Sequence, residues 1–574
     1  MSELPPTEWR LRPGNKEQEK ALIAHGYHPL LSRLMAQRNI IGDEAKVFIT
    51  PDYENISHPY TINDMEKAVD LFLETAKNKG RVGFITDFDC DGVVSAAMLT
   101  ELCRVFDVKC NAFLPSRLIH GYGLSKKSIA SFKEKYANNI PDLLFILDSG
   151  SSSYDEIEDL KQWGVKVVCV IDHHIINAEK QSTNADALVN WHLSEIPQEM
   201  CTCGLMFQFI RGIRWKTKKV NPITFLTLAA IGTIADCMPI YGDNRIIVKN
   251  GLTSYALNSI TTAGLHALIG DDLLKKGYIT QEDVSFRIAP RINAVGRIHH
   301  PDLIYGLMIE VDPSMASKIA KEVIVYNEDR KELQKKDEAE ATKKASQQMT
   351  DYGVLVYDES WHIGVAGIVA SRLTETFYKP AIVIGQFEGV WRGSGRSVPG
   401  VNIKEILDDC KEMFVAYGGH EQACGVTVKD EYIERANEIF NDACKRYYKA
   451  NSVVLQPFNH YDATLKLGAV TEENATLLIN NMAPYCDERN PQPTFLLKSV
   501  TICDVEVKTM KKYILLKFRV TKDGHKLEQY FSSFQLGLKY GYDLEGVVAD
   551  VYFRFPQSTD FRFEMHAVDV VVRA

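Results

Sequence analysis

From about residue 80 onward, short apolar runs alternate with amphipathic stretches, and this pattern predicts the main part of the fold. Four runs have the length and composition of buried strands: RVGFIT (81–86), LLFIL (143–147), KVVCVI (166–171) and DALVN (186–190). Helical stretches separate these runs. Strands that alternate with helices predict a parallel sheet covered by helices on both faces. Ligands of such sheets bind beyond the carboxyl ends of the strands.

The same pattern divides the rest of the chain. Residues 1–50 carry apolar positions at helical spacing and predict an N-terminal helical arm, so the first αβ unit occupies 51–312. Residues 313–349 have no Gly, and no Pro after the first position, which predicts one long, solvated connecting helix. Residues 350–450 predict a second αβ unit. Residues 451–574 have short strands separated by turns, which predicts a small β-barrel.

Composition narrows the class of protein. A chain of 574 residues is too long for a single core, and 45% hydrophobic with 25% charged residues is typical of soluble proteins. No apolar run approaches the roughly 18 residues of a membrane span. The first residues lack an apolar signal core, and the twelve cysteines show no zinc spacing, so we expect a cytoplasmic protein with reduced thiols. The net charge of −9 still permits a local basic groove.

Acidic and histidine residues follow the predicted strands. The first strand runs into DFDCDG, the second into DSG and the third into DHH, and an apolar helix ends at a further aspartate. The residues concerned are Asp87, Asp89, Asp91, Asp148, Asp172, His173, His174 and Asp236. Because the strands are parallel, we expect the first three groups to meet at one edge of the sheet.

Each of these motifs, taken alone, has an ordinary explanation. A lone DxDxDG is also typical of a calcium loop or a solvated turn, paired histidines can cap a strand, and a single aspartate can end a helix. Their joint placement favours a catalytic centre, because clustered carboxylates and imidazoles suit a pair of Mn²⁺ or Mg²⁺ ions. Two such ions about 3.5–4 Å apart can activate water and stabilise the leaving oxygen of a phosphoester.

These motifs, in this order, resemble the four motifs of the DHH phosphoesterases. The stretch GGHEQA (418–423) resembles the signature of the DHHA1 domain that accompanies the DHH domain. Within that family, further segments resemble the RecJ exonucleases: HPYTINDMEKAV, PSRLIHGYGL (115–124), FRIAPRINAVGR (286–297), WHIGVAGIVASR (361–372) and GSGRS (393–397). The resemblance implies an α/β fold, with a DHH parallel-sheet domain, a connecting helix, a DHHA1 αβ domain and a C-terminal OB-like barrel.

The resemblance also implies roles for the acidic and histidine residues. The implied metal ligands are Asp89, Asp91, Asp148, His173 and Asp236. Asp87 and His174 would lie beside them, and Asp172 would orient the histidine pair. His174 is the candidate contact to the scissile phosphate. Some relatives have a histidine where this chain has Ile85, which implies fewer protein ligands for one metal here.

A second set of residues is implied in binding nucleic acid and a 5′ phosphate. They are Arg117, Tyr122, Arg291, Asn293, Arg297, Ser394, Arg396 and His420. A surface ion pair remains the alternative for each arginine, and burial the alternative for the tyrosine. In the barrel segment 507–526, apolar residues alternate with cations. The resemblance implies that this segment guides single strands, and the alternative is a solvated, charged hairpin. Its cations are Lys508, Lys511, Lys512, Lys517, Arg519 and Lys522. Residues 484–493 depart from the Gly-containing turn that opens this fold in relatives.

Three functions are carried forward. The first is a two-metal exonuclease that hydrolyses single-stranded DNA from the 5′ end to mononucleotides, in recombination and repair. The second is a DHH–DHHA1 phosphodiesterase for short oligoribonucleotides or cyclic dinucleotides, against which the extra N- and C-terminal regions argue. The third is a non-catalytic replisome scaffold, against which the complete acidic and histidine set argues. We expect a monomer without membrane attachment, with single-strand binding proteins or helicases as candidate partners.

Overall fold

The computed structural model of the chain describes residues 8–573, except 122, 178, 196–197, 349, 454, 456, 487–488, 511–512, 541–542 and 558–562. In this described part, no helix is both long and apolar enough to cross a membrane. The N-terminal region contains one strand and three helices: β1 (Glu8–Leu11), α1 (Lys16–Ala24), α2 (Pro29–Gln37) and α3 (Gly42–Ile49). The strand was not predicted, because its parallel partner, residues 458–461, lies some 450 positions away.

The first αβ unit is built on a five-stranded parallel sheet. Its strands are β2 (Arg81–Ile85), β3 (Lys109–Phe113), β4 (Leu143–Leu147), β5 (Val167–Ile171) and β6 (Ala187–Val189), in the order β3-β2-β4-β5-β6. The four predicted strands are confirmed. The edge strand β3 was missed because its sequence, KCNAF, mixes polar and apolar residues. Alternate side chains of the central strands are buried in separate cores on the two faces of the sheet.

Helices pack on both faces of this sheet and extend toward the C-terminal region. They are α4 (Met65–Lys77), α5 (Cys90–Val105), α6 (Arg117–His120), α7 (Lys126–Tyr136), α8 (Tyr154–Trp163), α9 (Thr202–Thr217), α10 (Ile223–Ala235), α11 (Gly242–Gly251), α12 (Ser254–Leu257), α13 (Ala263–Ile269), α14 (Asp271–Lys276), α15 (Gln281–Asp283), α16 (Ala289–Ile298) and α17 (Asp302–Met308). A π-helical turn, Val284–Ile288, joins α15 to α16. Helices α5, α9 and α10 are apolar on nearly every side, as expected for helices buried in a large core.

The connecting helix and the second αβ unit follow. The helix α18 (Pro313–Gln348) agrees with the predicted span, and it packs on both α16 and α19. The unit contains β7 (Val354–Tyr357), α19 (Ile363–Phe377), β8 (Ala381–Phe387), β9 (Val390–Arg396), α20 (Ile403–Asp409), β10 (Phe414–Gly419), β11 (Ala423–Val428) and α21 (Ala436–Ala450). Its sheet has the order β10-β11-β9-β8-β7, and only β7 and β8 are parallel neighbours. The glycine-rich strands β10 and β11 were not predicted.

The C-terminal region forms a closed barrel, as predicted. Its elements are β12 (Phe458–Tyr461), β13 (Ala463–Thr464), α22 (Glu472–Asn481), β14 (Phe495–Met510), β15 (Tyr513–Lys522), β16 (His525–Lys526), β17 (Phe531–Ser533), α23 (Phe534–Tyr540), β18 (Val548–Arg554) and β19 (Met565–Val572). The order β14-β18-β19-β17-β15 closes through β14–β15 pairing. The N-terminal helices share the barrel's hydrophobic core, so the two ends of the chain pack together.

Candidate active site

The acidic motifs meet at the carboxyl edge of the parallel sheet. Strands β2, β4 and β5 are neighbours, so the residues that follow them lie side by side. Asp87 and Asp89 follow β2, Asp148 follows β4, and the DHH motif follows β5. Asp91 lies in the first turn of α5, and Asp236 ends α10 at the same edge. The predicted convergence is therefore present in the fold.

His173 lies at the centre of this group. Its Nε2 atom is 3.4 Å from Asp148 Oδ1, 3.6 Å from Asp236 Oδ2 and 3.9 Å from Asp91 Oδ2. Among the described residues, three overlapping groups have ligand atoms within 4.8 Å of one another. They are Asp148–His173–His174, Asp91–His173–Asp236 and Asp87–Asp89–Asp148. Oxygen and imidazole donors that are shared between groups are what a pair of neighbouring divalent cations requires.

The electrostatics of the cluster also fit cations. Both carboxylate oxygens of Asp87 are buried, and no side chain of the described residues donates a hydrogen bond to them. Burial and the adjacent Asp89 raise the pKa of Asp87 to about 8. Burial and Asp91 similarly raise the pKa of Asp236 to about 9. Carboxylates that are costly to ionise together become favourable ligands once divalent cations neutralise them, so the donor set fits metal ions.

Asp91 is held by the amino terminus of α9. Its Oδ2 accepts the Thr202 N–H at 2.7 Å, and its Oδ1 accepts the Cys203 N–H at 2.8 Å. The Thr202 hydroxyl also donates to Asp148 Oδ1 at 3.1 Å. Unpaired N–H groups and the positive end of the helix dipole stabilise the carboxylate there. The sequence analysis did not predict this role for Thr202 and Cys203.

Asp172 positions the histidine pair. It accepts the N–H groups of Ser151 at 2.9 Å and His173 at 2.8 Å, and it bonds His174 Nδ1 at 2.7 Å. Burial alone would raise the pKa of Asp172, but the hydrogen bond and charge of the His174 imidazole hold it well below its usual range. Burial lowers the pKa of His174, but the hydrogen bond and charge of Asp172 outweigh it and raise the pKa to about 9. A protonated imidazole at this edge suits contact with a phosphate oxygen.

Comparison with known proteins identifies the family. Residues 81–233 match the DHH family, N-terminal domain, and residues 350–446 match the DHHA1 domain. The single-stranded-DNA-specific exonuclease RecJ of Bacillus subtilis is 28% identical over 506 residues, which cover 87% of this chain and 62% of that protein. RecJ of Haemophilus influenzae is 30% identical over 438 residues, 72% of this chain and 74% of that protein. The chain belongs to the RecJ family.

The fold agrees with RecJ over nearly the whole chain. RecJ of Thermus thermophilus, solved in complex with Mn²⁺, matches with a TM-score of 0.81 at 22% identity, covering 98% of this chain and 79% of that one. The same protein in complex with Mg²⁺ gives a TM-score of 0.75 at 21% identity. The predicted α/β fold class with its OB-like barrel is thereby confirmed. The chain spans 62% of the length of B. subtilis RecJ, which is therefore considerably longer.

Four arginines gather where the two αβ units and the connecting helix meet. The Arg117 guanidinium lies 5.5 Å from the centre of the Phe88 ring, within the first acidic motif. Arg297 is partly buried and donates to the Gly364 carbonyl at 3.2 Å. Burial, together with the charges of Arg117, Arg330 and Arg396, lowers the pKa of Arg297 to about 9. Mutual repulsion of this kind favours a bound anion. Arg330, on α18, was not predicted.

The other predicted nucleic-acid residues have more varied surroundings. Asn293 accepts the Cys90 N–H at 2.8 Å and so holds the first motif. Arg291 donates to the Leu268 carbonyl at 2.8 Å, and its charged neighbours are Arg287, Asp272 and Glu328. Ser394 is nearly buried on β9, and His420 is exposed after β10. Tyr122 lies outside the described residues.

Several cations of the barrel segment are paired with acids. Lys517 bonds Glu564 at 2.6 Å, and Arg519 bonds Asp504 at 3.2 Å. Lys508 lies 3.2 Å from Glu506. Lys522 donates to the Lys498 carbonyl at 2.5 Å, while Lys511 and Lys512 fall outside the described residues.

The turn at 484–493, which departs from that of relatives, is tied to the backbone nearby: Asn490 donates to the carbonyls of Met482 and Pro484.

Proposed function

We propose that this chain hydrolyses single-stranded DNA from the 5′ end to mononucleotides at a two-metal centre, in DNA recombination and repair. One observation carries the proposal. In a chain of the RecJ family, the fold brings seven carboxylates and imidazoles to one sheet edge, in three overlapping groups whose ligand atoms lie within 4.8 Å of one another. A scaffold that had lost catalysis would have no reason to keep buried, mutually repelling carboxylates.

Within this proposal each residue of the cluster has a role. Five residues would hold two Mn²⁺ or Mg²⁺ ions: Asp89, Asp91, Asp148, His173 and Asp236. Cations bound there would lower the pKa of the attacking water and stabilise the leaving oxygen. His174, protonated and oriented by Asp172, would donate to the scissile phosphate. Asp87 would accept a proton, or a hydrogen bond from a water, beside the cations, since its carboxylate is buried and its pKa is raised to about 8.

The arginine cluster supports the polarity. A terminal 5′ phosphate carries close to two negative charges, and forked guanidinium groups bind such a group well. Arg117, Arg297 and Arg396 would hold it, with Ser394 on the same strand as Arg396. His420 and Arg291 would contact the strand further out, and Asn293 would act by holding the first motif. An internal phosphodiester carries a single charge and would be held less firmly.

Nothing in the described residues favours the two other candidate functions. The N-terminal helices and the barrel share one core beside the catalytic unit, and a small cyclic or dinucleotide substrate would not need that surface. We also expect a cytoplasmic monomer, with single-strand binding proteins or helicases as candidate partners.

The test is a comparison of Asp89→Asn with the unchanged protein on 3′-labelled single-stranded DNA, matched RNA and blunt duplex, with Mn²⁺. Asparagine can keep the helix cap that Asp89 provides by accepting the Gly92 N–H, so the variant loses charge rather than fold. Asp155→Asn, on an exposed helix start, is the matched control. The proposal requires shortening from the 5′ end that Asp89→Asn abolishes and the control retains. Cleavage of RNA alone, or of no substrate, would contradict it.

A further inference from the structure

The short helix α6 carries Arg117, whose guanidinium lies 5.5 Å from the centre of the Phe88 ring. This helix is a single turn of four residues. One turn is unfavourable by itself, because it orders several residues for very few hydrogen bonds. Its backbone is closed by the His120 N–H, which donates to the Ser116 carbonyl at 2.8 Å. The position of Arg117 therefore depends on contacts that hold this turn from outside.

The His120 side chain supplies such contacts. Its ring folds back to the start of the turn, where Nδ1 accepts the Ser116 N–H at 2.8 Å. On the other side of the ring, Nε2 lies 3.1 Å from the Ser131 hydroxyl on α7. The ring also packs edge-on against Phe113 at the end of β3, with the two centroids 5.7 Å apart. The imidazole thus links the turn to two neighbouring elements of the catalytic unit.

These contacts determine the protonation state of His120. A backbone N–H can only donate, so Nδ1 must keep its lone pair. The single proton of the neutral ring then lies on Nε2, which donates to the Ser131 hydroxyl. A second proton, on Nδ1, would place two donors opposite each other and break the hydrogen bond from Ser116. The observed turn therefore requires a neutral imidazole.

The surroundings of the ring also disfavour the charged imidazole. His120 lines a cavity of about 410 Å³, whose other charged or titratable residues are Glu134, Lys135, His300 and Asp302. Asp302 lies 3.4 Å from His300, so this carboxylate is already paired. Burial, with the charges of His300 and Lys127, lowers the pKa of His120. His120 is therefore neutral near pH 7, and it gains a proton only below the ordinary imidazole value of roughly pH 6.5.

We propose that neutral His120 is a positioning residue for binding of the 5′ phosphate: it holds the α6 turn in the form that presents Arg117, and protonation of His120 releases this turn. The inference rests on the proposed function, in which Arg117 is one of the arginines that bind the phosphate. Because His120 acts through Arg117 and not through the metal ligands, it affects binding of the 5′ end and leaves the chemical step unchanged. Binding of the phosphorylated end therefore weakens in acid.

The first test measures kcat and KM at pH 7.5, with Mn²⁺, on a 5′-phosphorylated dT 20-mer. The same 20-mer with a 5′ hydroxyl, added as a competitor, reports binding of the strand without the phosphate. His120→Ala removes the acceptor of the Ser116 N–H, so we expect KM to rise about tenfold, with kcat and the inhibition constant of the competitor unchanged.

Two further variants make this test specific. His120→Asn should keep the low KM, because Oδ1 of asparagine takes nearly the place of Nδ1 and accepts the same N–H without titrating. His28→Ala is the matched control, since Nδ1 of His28 also accepts a backbone N–H, from Leu30 at the start of α2. This control should match the unchanged protein in KM and kcat.

The second test repeats the KM measurement between pH 5.5 and 8. The 5′ phosphate itself gains a proton near roughly pH 6, but this effect is the same for every variant. KM of the unchanged protein should therefore rise more steeply in acid than KM of His120→Asn.

Three results would overturn the inference while 5′ shortening by the unchanged protein upholds the proposed function. They are an unaltered KM in His120→Ala, a raised KM in His120→Asn at pH 7.5, and the same pH profile in the unchanged protein and His120→Asn. An equal loss of competitor binding in His120→Ala would also overturn it, because the defect would then not concern the phosphate. If the unchanged protein does not degrade the phosphorylated strand, both proposals fail.

Discussion

Replacing Asp172 by asparagine isolates the role of the residue that orients the histidine pair. Asp172 is fully buried and accepts hydrogen bonds from Ser151, His173 and His174. Asparagine has the same shape but offers one acceptor oxygen, and its amide group must then face a donor. The variant also removes the negative charge that keeps His174 protonated. The metal ligands themselves are unchanged.

The size of the effect follows from these contacts. A hydrogen bond to a charged partner contributes about 1.5–3 kcal/mol, and each 1.36 kcal/mol is about tenfold in rate or affinity. We therefore expect activity to fall about 10- to 100-fold, since the variant loses the charged hydrogen bond that orients and protonates His174. The pKa of His174, about 9 beside Asp172, should fall because the hydrogen bond and charge that oppose the effect of burial are lost, although Asp236 and Asp87 still raise it.

The assay is release of nucleotides from 5′-phosphorylated single-stranded DNA, measured against Mn²⁺ concentration and between pH 6 and 9. The unchanged protein should keep the His174-dependent part of its activity up to about pH 9. The variant should lose it at a lower pH than the unchanged protein does. Asp186→Asn is the control, since Asp186 accepts a backbone N–H at the opposite edge of the same sheet. A variant with unchanged rate, metal dependence and pH profile would refute the positioning role of Asp172.

Two further predictions concern stability. The pKa values of Asp87 and Asp236 are raised to about 8 and 9 in the folded protein. After treatment with a chelator, the folded protein therefore holds protons that the unfolded chain releases near pH 4. The free energy of unfolding should then fall as the pH rises above 4. The increase in Tm on adding Mn²⁺ should then be larger at pH 8 than at pH 5, and an equal increase would contradict this. Arg245 is buried and donates to five backbone carbonyls of the N- and C-terminal regions. Arg245→Ala should therefore lower the free energy of unfolding, measured with urea, by about 3 kcal/mol or more. Lys249→Ala, which removes a single more exposed bond, should cost about 1 kcal/mol or less, and equal losses would contradict the role of Arg245.

The parts of the fold that the sequence predicts are those with a strong local signal. β2, β4 and β5 are uninterrupted apolar runs because both faces of the sheet are covered. β3, β10 and β11 lack that signal, since their burial depends on neighbours in the sheet. The pairing of β1 with β12 joins segments from opposite ends of the chain, which no local pattern encodes. The four predicted boundaries between the five domains remain predictions.

The metal-binding edge was predictable for a related reason. Its residues follow directly on strong strands, and parallel topology then determines where they meet. Their supporting contacts were not predictable. The backbone N–H groups of Thr202 and Cys203, which donate to Asp91, lie 111 positions or more away along the chain. Because almost any residue type can supply a backbone N–H, the sequence does not indicate such a contact. Arg330 was missed because a single arginine in a long, highly charged helix has nothing to distinguish it.

The segment PRINAVGR shows where more could have been taken from the sequence. Arg291, Asn293 and Arg297 were grouped because they are close along the chain. They lie on one helix, α16, where residues four apart share a face and residues six apart are separated by roughly 120°. Asn293 and Arg297 therefore face the first motif and the arginine cluster, while Arg291 turns to the Leu268 carbonyl. Once a helix is predicted, its period places these two arginines on different faces, and the contact of Asn293 with the first motif then favours Arg297 over Arg291 as the phosphate ligand.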